Sequence, residues 1–227
     1  MKTILSTLTL CFALHGTGVQ ANQSNEEMMQ AVTAIQSSWA EVQYHTPGKQ
    51  NRLDALGELS DTADQLVAQH PQQAEPLIWS AIILATRAGE DGGMGALSLV
   101  KRARKQLLAA VDIDETALDG SAHVTLGSLY YQVPRWPIGF GSNKKARQHL
   151  ERALQINPDG IDANYFYGGY LEKMGDYEAA LKAYEKVLHA AARPGREIAD
   201  TGRREEAKTA INRVQRRHSD ALAANSR

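Results

Sequence analysis

Disulfide bonding has no place in this chain, because its 227 residues hold a single cysteine, Cys11. One thiol also leaves no cysteine pair for a structural zinc site. Proline is scarce, at seven residues, and aromatic residues make up 6% of the chain. No stretch alternates β-branched residues for long enough to write a strand, which argues against a sheet-based fold. Neither sign of charge prevails: the formal net charge is -1, so no overall field draws the protein to nucleic acid or an anionic membrane. An uninterrupted apolar run of the ~20 residues that cross a bilayer is also missing. What the chain does have is 43% hydrophobic and 22% charged residues, with alanine and leucine recurring throughout. That composition suits one helical domain or a short array of helices.

The first residues have a separate logic. Lys2 precedes an apolar run from Ile4 to Leu14, and Val19 and Ala21 place small residues at the -3 and -1 positions of a signal-peptidase site. The pattern predicts an export signal, residues 1–21, cleaved after Ala21, and a periplasmic or secreted mature chain without a transmembrane segment. Leu10 stands where a lipobox needs a small residue before Cys11, so lipidation is disfavoured. Cleavage removes the thiol and Lys2, leaving 24 basic against 26 acidic residues, a net charge of about -2.

Internal repeats come next. The segment "IDANYFYGGYLEKMGDYEAALKAYEKVLHAAARP", residues 161–194, resembles a tetratricopeptide repeat along its whole length. The small position of its first helix falls on Gly168, the turn on Gly175, and the packing positions of its second helix on Ala180, Tyr184, Val187 and Leu188. Helices cross closely only where one presents almost no side chain. Residues 120–160 form a second copy, with Gly127 at the small position and Ala146, Leu150, Ala153 and Leu154 on the second-helix stripe. This copy is longer, and its surplus is the loop "QVPRWPIGFG". Residues 74–119 form a weaker copy, with Ala81 at the small position and a glycine-rich link "GEDGGMGA" that reads as a flexible insertion.

Residues 22–73 read as a degenerate helical hairpin, opened by a capping box of Ser24 and Glu27. Residues 195–227 read as a capping helix, apolar on Ala207, Ile211 and Val214 and charged elsewhere, as a terminal repeat requires. The expected fold is therefore all-α: helical hairpins stacked as a short, right-handed, tetratricopeptide-like superhelix with long inter-helix insertions. Both good copies lack the family's usual tryptophan in the first helix, with His123 and Asn164 in its place.

Catalytic and metal motifs fail one by one. Asp112, Asp114 and Thr116 are spaced like the start of a calcium loop, but Ala117 and His123 stand where glycine and glutamate belong. The glycine-rich link has no Lys-Ser or Lys-Thr to hold phosphates. Ser128 lies mid-helix without the second glycine of a nucleophile elbow. His123 and His149 sit on the two helices of one repeat, but neither a carboxylate nor a third ligand is evident beside them. The arginines of the C-terminal helix alternate with Glu205, Glu206 and Asp220, which fits a solvated face better than a nucleic-acid site. No catalytic residue, metal or cofactor is expected.

Binding is the remaining class. The repeat resemblance implies a concave surface lined by the first helix of each hairpin, with a protein or peptide as the usual partner. Register then points to Val124, Ser128 and Tyr131 in one copy and Tyr165, Gly169 and Glu172 in the next. The loop adds Arg135, Trp136 and Phe140, which read either as a ligand wall or as a clasp closing the gap between repeats. Pro134 and Pro137 should order this loop, and Trp136 is expected to pack a ring face on a neighbouring hairpin. Signal, repeats and insertions together also resemble the T component of TRAP-type transport systems, which implies a subunit enclosing a small ligand. A channel through the array would favour that second reading; an open groove would favour the first.

Overall fold

The computed structural model describes residues 16–225. The apolar run from Ile4 to Leu14, with Cys11 inside it, lies outside the described residues. Among those described there are nine helices and no strand: α1 (Gly16–His45), α2 (Lys49–Gln69), α3 (Ala74–Asp91), α4 (Gly93–Ile113), α5 (Ala117–Gln132), α6 (Asn143–Ile156), α7 (Ile161–Met174), α8 (Tyr177–His189) and α9 (Glu197–Asn225). The protein is all-α.

α3 and α5 are buried nearly all round, whereas α1, α6 and α8 each bury one stripe. Met28, Val32, Ile35 and Trp39 of α1 recur at helical spacing and are all buried. The same holds for Ala146, Leu150 and Ala153 of α6, and for Ala180, Ala183, Tyr184 and Val187 of α8. α3 pairs with α4, α5 with α6, and α7 with α8 as antiparallel hairpins. At two of these crossings a glycine sets the approach. A Cβ on Gly127 would fall 2.5 Å from Leu150 Cγ, and one on Gly168 would fall 2.9 Å from Tyr184 Cδ1.

Two local expectations change. α1 runs straight through Ser24, so Ser24 and Glu27 do not cap it; no glycine or proline stands between Val19 and His45 to stop the helix. The glycine-rich link is not a flexible loop. Gly92 and Gly93, at φ of 71° and 66°, make the reversal, while Gly89 and Gly95 are absorbed into α3 and α4. The surplus of this hairpin is therefore helix. Asp114 accepts hydrogen bonds from the backbone N–H and hydroxyl of Thr116, at 2.8 and 2.7 Å, which closes a local turn. That turn leads into a left-handed stretch, Leu118 to Gly120, inside the first turns of α5.

The hairpins do not form an open arc. The odd-numbered helices make an inner layer in which α1 touches α3, α3 touches α5, α5 touches α7, and α7 touches α9. α9 then meets α1, so the layer closes on itself. The junction is tight. Ala199 is buried among α1 and α3 side chains, with Ile198 packed beside it. Gly202 of α9 lies so close to the Tyr44 ring that a Cβ there would be 2.6 Å from Tyr44 Cγ.

Candidate functional site

Closure of the inner layer forms a cavity of about 800 Å³ that stays partly open to solvent. Its walls come from α1, α3, α5 and α7, with the α8–α9 connection and the first turns of α9 completing it. One side is aromatic. Trp39 meets Trp79 edge-on at 5.8 Å between ring centroids and Tyr44 at 6.0 Å. The Trp39 indole N–H donates to the Thr86 hydroxyl at 2.9 Å. The indole N–H of Trp79 and the hydroxyl of Tyr44 are buried and have no partner in the protein.

The other side is ionic. Asp162, in the first turn of α7, accepts from Arg193 Nη1 at 2.8 Å and Arg203 Nε at 2.9 Å. Burial alone would raise its carboxyl, but Arg203 and Arg193 hold it well below the usual carboxylate range. Asp200 is 1% exposed and accepts from the side chain and the backbone N–H of Arg193, both at 2.8 Å. Arg196 is different. It reaches only Gln36, at 3.4 Å, and its guanidinium lies 5.3 Å from the Trp79 ring centre. Its Nε–H is buried without a partner. Burial, and then Arg193 beside it, lowers its proton affinity.

The residues singled out in the sequence scatter over this architecture. Val124 and Ser128 line the cavity. Tyr165 lines a second, shallower recess between α1 and α9, with the Arg203 guanidinium 4.5 Å from its ring centre. Tyr131, Gly169 and Glu172 line neither space. Tyr131 packs edge-on against Tyr170 at 6.1 Å and sits over Gly169; burial pushes its hydroxyl up to about 12. Glu172 is 8% exposed and bound to the capping helix, accepting from Arg213 at 2.7 and 2.8 Å, from Arg217 at 3.0 Å and from Tyr184 at 3.1 Å.

The aromatic loop splits its duties. Its backbone is tied down by Gly141 N–H to Pro134 O, 2.9 Å, and Ser142 N–H to Tyr130 O, 2.8 Å. Ser142 caps α6, accepting from Lys145 N–H. Phe140 is the clasp: it meets Tyr130 edge-on at 5.6 Å and carries Arg104 of α4 at 4.3 Å. Trp136 does not pack as expected. It is 86% exposed, beside Ile138 at 67%, and Arg135 is exposed as well. The short tie between Gly141 and Pro134 aims the loop tip outward, so only its base meets the hairpin.

His123 and His149 do meet, with Nδ1 to Nδ1 at 2.9 Å, and the carboxylate not evident in the sequence is Glu115. Glu115 lies 3.2 Å from His123 Nε2 and is held down to about 2 chiefly by Arg152. Among the described residues no cluster of histidine, cysteine and acidic side chains is arranged to hold a metal. None of the described helices is long and apolar enough to cross a membrane.

Comparison with known proteins adds to the repeat assignment. The tetratricopeptide repeat family model matches residues 138–200. That span covers the end of the aromatic loop, α6, the α7–α8 hairpin and the start of α9. A solved structure titled "Crystal structure of MamA" is similar at 20% identity and a TM-score of 0.43, covering 75% of this chain and 92% of that one. No curated protein matches.

Trp39, Tyr44, Trp79 and Arg196 were not singled out by sequence reasoning. Their signals were indirect: Gly202 in an otherwise charged helix, and the apolar pair Ile198 and Ala199 outside its main stripe.

Proposed function

We propose that this protein is an exported helical-repeat scaffold that holds a small ligand in the cavity enclosed by its inner helices. The single observation that carries this reading is the contact of α9 with α1, which turns a concave face into a chamber. Its volume of about 800 Å³ suits a small molecule; such sites span roughly 300–1,000 Å³. The arrangement is similar to what the resemblance to the T component of TRAP-type transporters implies, a ligand-handling accessory subunit.

A second reading, docking of a protein partner, is favoured by Trp136 and Ile138, exposed side by side on an anchored loop. The two are compatible, since the loop tip lies outside the cavity. The test is native mass spectrometry of protein recovered from the periplasm, with the mature chain starting at Asn22. Wild type should retain a small adduct, and Ala85→Trp, which fills the cavity from α3, should lose it while melting within a few degrees of wild type. An adduct that survives the filled cavity, or a full-length mass, would overturn the reading.

A further inference from the structure

We infer that the tip of the aromatic loop docks the protein on an anionic lipid bilayer, with Trp136 and Ile138 entering the headgroup layer and the surrounding lysines and arginines on the lipid phosphates. The inference goes beyond the cavity reading and does not depend on it. It gives the tip an occupant other than a protein partner, and the test separates the two. Trp136 and Ile138 are the two most exposed large apolar side chains among the described residues. They stand on a loop whose base is hydrogen-bonded and packed, so their exposure is built in. Tryptophan, with an apolar body and an N–H donor, favours the boundary between lipid and water.

The charge around the tip is one-sided, although the chain as a whole is close to neutral. Between Gly120 and Leu150 the cations are Arg135, Lys144, Lys145 and Arg147, and there is no acid. Between Gly92 and Val111 they are Lys101, Arg102, Arg104 and Lys105, again without an acid. The loop joins these two stretches, because Phe140 carries Arg104 at 4.3 Å. Lys101, Lys105 and the exposed Leu108 share that face of α4. Arg102 is bound to Asp64, and Arg147 lies 3.9 Å from Glu151. The rest are in no ion pair among the described residues. The α7–α8 turn lies beside the end of the loop, where Asn143 donates to Met174 Sδ. It brings Asp176 and Glu178, but Asp176 is occupied in capping α8, and Lys173 of the same turn is a further cation.

These features fit lipid better than protein. Protein interfaces are depleted in lysine, and their hot spots sit in packed patches rather than on a convex tip. Most of the unpaired cations here are lysines: Lys101, Lys105, Lys144 and Lys145. Each cation close to an anionic membrane adds about fivefold to the affinity. A short apolar tip binds lipid weakly by itself, and a basic patch supplies the second attraction that stable docking needs.

The test sediments the mature full chain at low salt with vesicles of phosphatidylcholine alone, or of two parts phosphatidylcholine to one part phosphatidylglycerol. Wild type should bind the anionic vesicles at least about tenfold more tightly than the neutral ones, and high salt should remove most of that preference. Arg135→Gln and Lys144→Gln, both at exposed positions, should each weaken binding about fivefold. Trp136→Ala should weaken it about tenfold while melting as wild type does. Lipids brominated in their acyl chains should quench part of the tryptophan fluorescence of wild type and none in Trp136→Phe, because Trp39 and Trp79 are buried. Absence of binding to either vesicle would overturn the bilayer and leave the tip to a protein partner. Equal binding to the two compositions, binding without quenching, or quenching that survives Trp136→Phe would also overturn it. None of the substituted residues lines the cavity, so each of these results leaves the small-ligand reading standing.

Discussion

Gly202→Ala should change the sign of its effect according to what stands at position 44. In wild type, a Cβ on Gly202 would lie 2.6 Å from Tyr44 Cγ and closer still to Cδ1 and Cε1. The ring cannot simply swing aside, because Trp39 packs edge-on against it at 6.0 Å. Overpacking of this kind costs about 1–3 kcal/mol. Alanine in a helix interior returns about 1 kcal/mol relative to glycine, so the net loss should be up to about 2 kcal/mol. Tyr44→Ala removes the obstacle, and Gly202→Ala should then stabilise by up to about 1 kcal/mol. A double-mutant cycle read by urea denaturation should therefore give a coupling of about 1–3 kcal/mol, the overpacking cost itself. Additive effects would mean that α9 does not rest on α1, and the enclosed cavity would go with that contact.

Acid should weaken the protein through its histidine pair before its carboxylates titrate. Burial, then His123 and Lys145, push His149 down to about 4 from 6.5; the unfolded chain thus binds the proton that the folded chain refuses, and stability falls as pH drops from about 6.5 towards 4. His149 is partly solvated, so a loss of about 1 kcal/mol between pH 7 and 5 is expected from urea midpoints, and an equal loss in His149→Gln would refute it. In the loop, Phe140→Ala should cost about 2–3 kcal/mol because it strips the contacts to Tyr130 and Arg104. Trp136→Ala should stay within about 0.5 kcal/mol, and thermal melts giving the opposite order would show that the tip, not the base, is the clasp.

The parts of the fold that were legible depend on near neighbours in the chain. The stripes of α6 and α8 can be read because Ala146, Leu150 and Ala153, or Ala180, Tyr184 and Val187, lie within a few turns of one another. The glycine-rich link misled because composition counts helix breakers, whereas geometry needed two residues at positive φ and could afford the others inside helices. Ser24 is sound capping chemistry that is left unused where nothing ends the helix before it. Glu172 fell on a groove position by register, but Arg213 and Arg217 lie more than forty residues along the chain and claim its carboxylate. Trp136 and Phe140 looked equivalent in sequence; the hydrogen bonds of Gly141 and Ser142 decide which one faces inward.

The cavity was illegible for a deeper reason. No single repeat contains its chemistry. α1 and α3 bring aromatic rings and an unpartnered indole, and no arginine from either lines the space. The α8–α9 connection and α9 bring the three arginines that do, and no aromatic ring of theirs lines it. Asp162, on α7, holds Arg193 and Arg203 in place from the side. The guanidinium of Arg196 acquires its position over Trp79 only when helices separated by most of the chain are brought together. A repeat array is stabilised by contacts between neighbours, which sequence patterns report well. A closed array gains one contact more, between its first and last helices, and that contact both builds the cavity and supplies its unpaired cation.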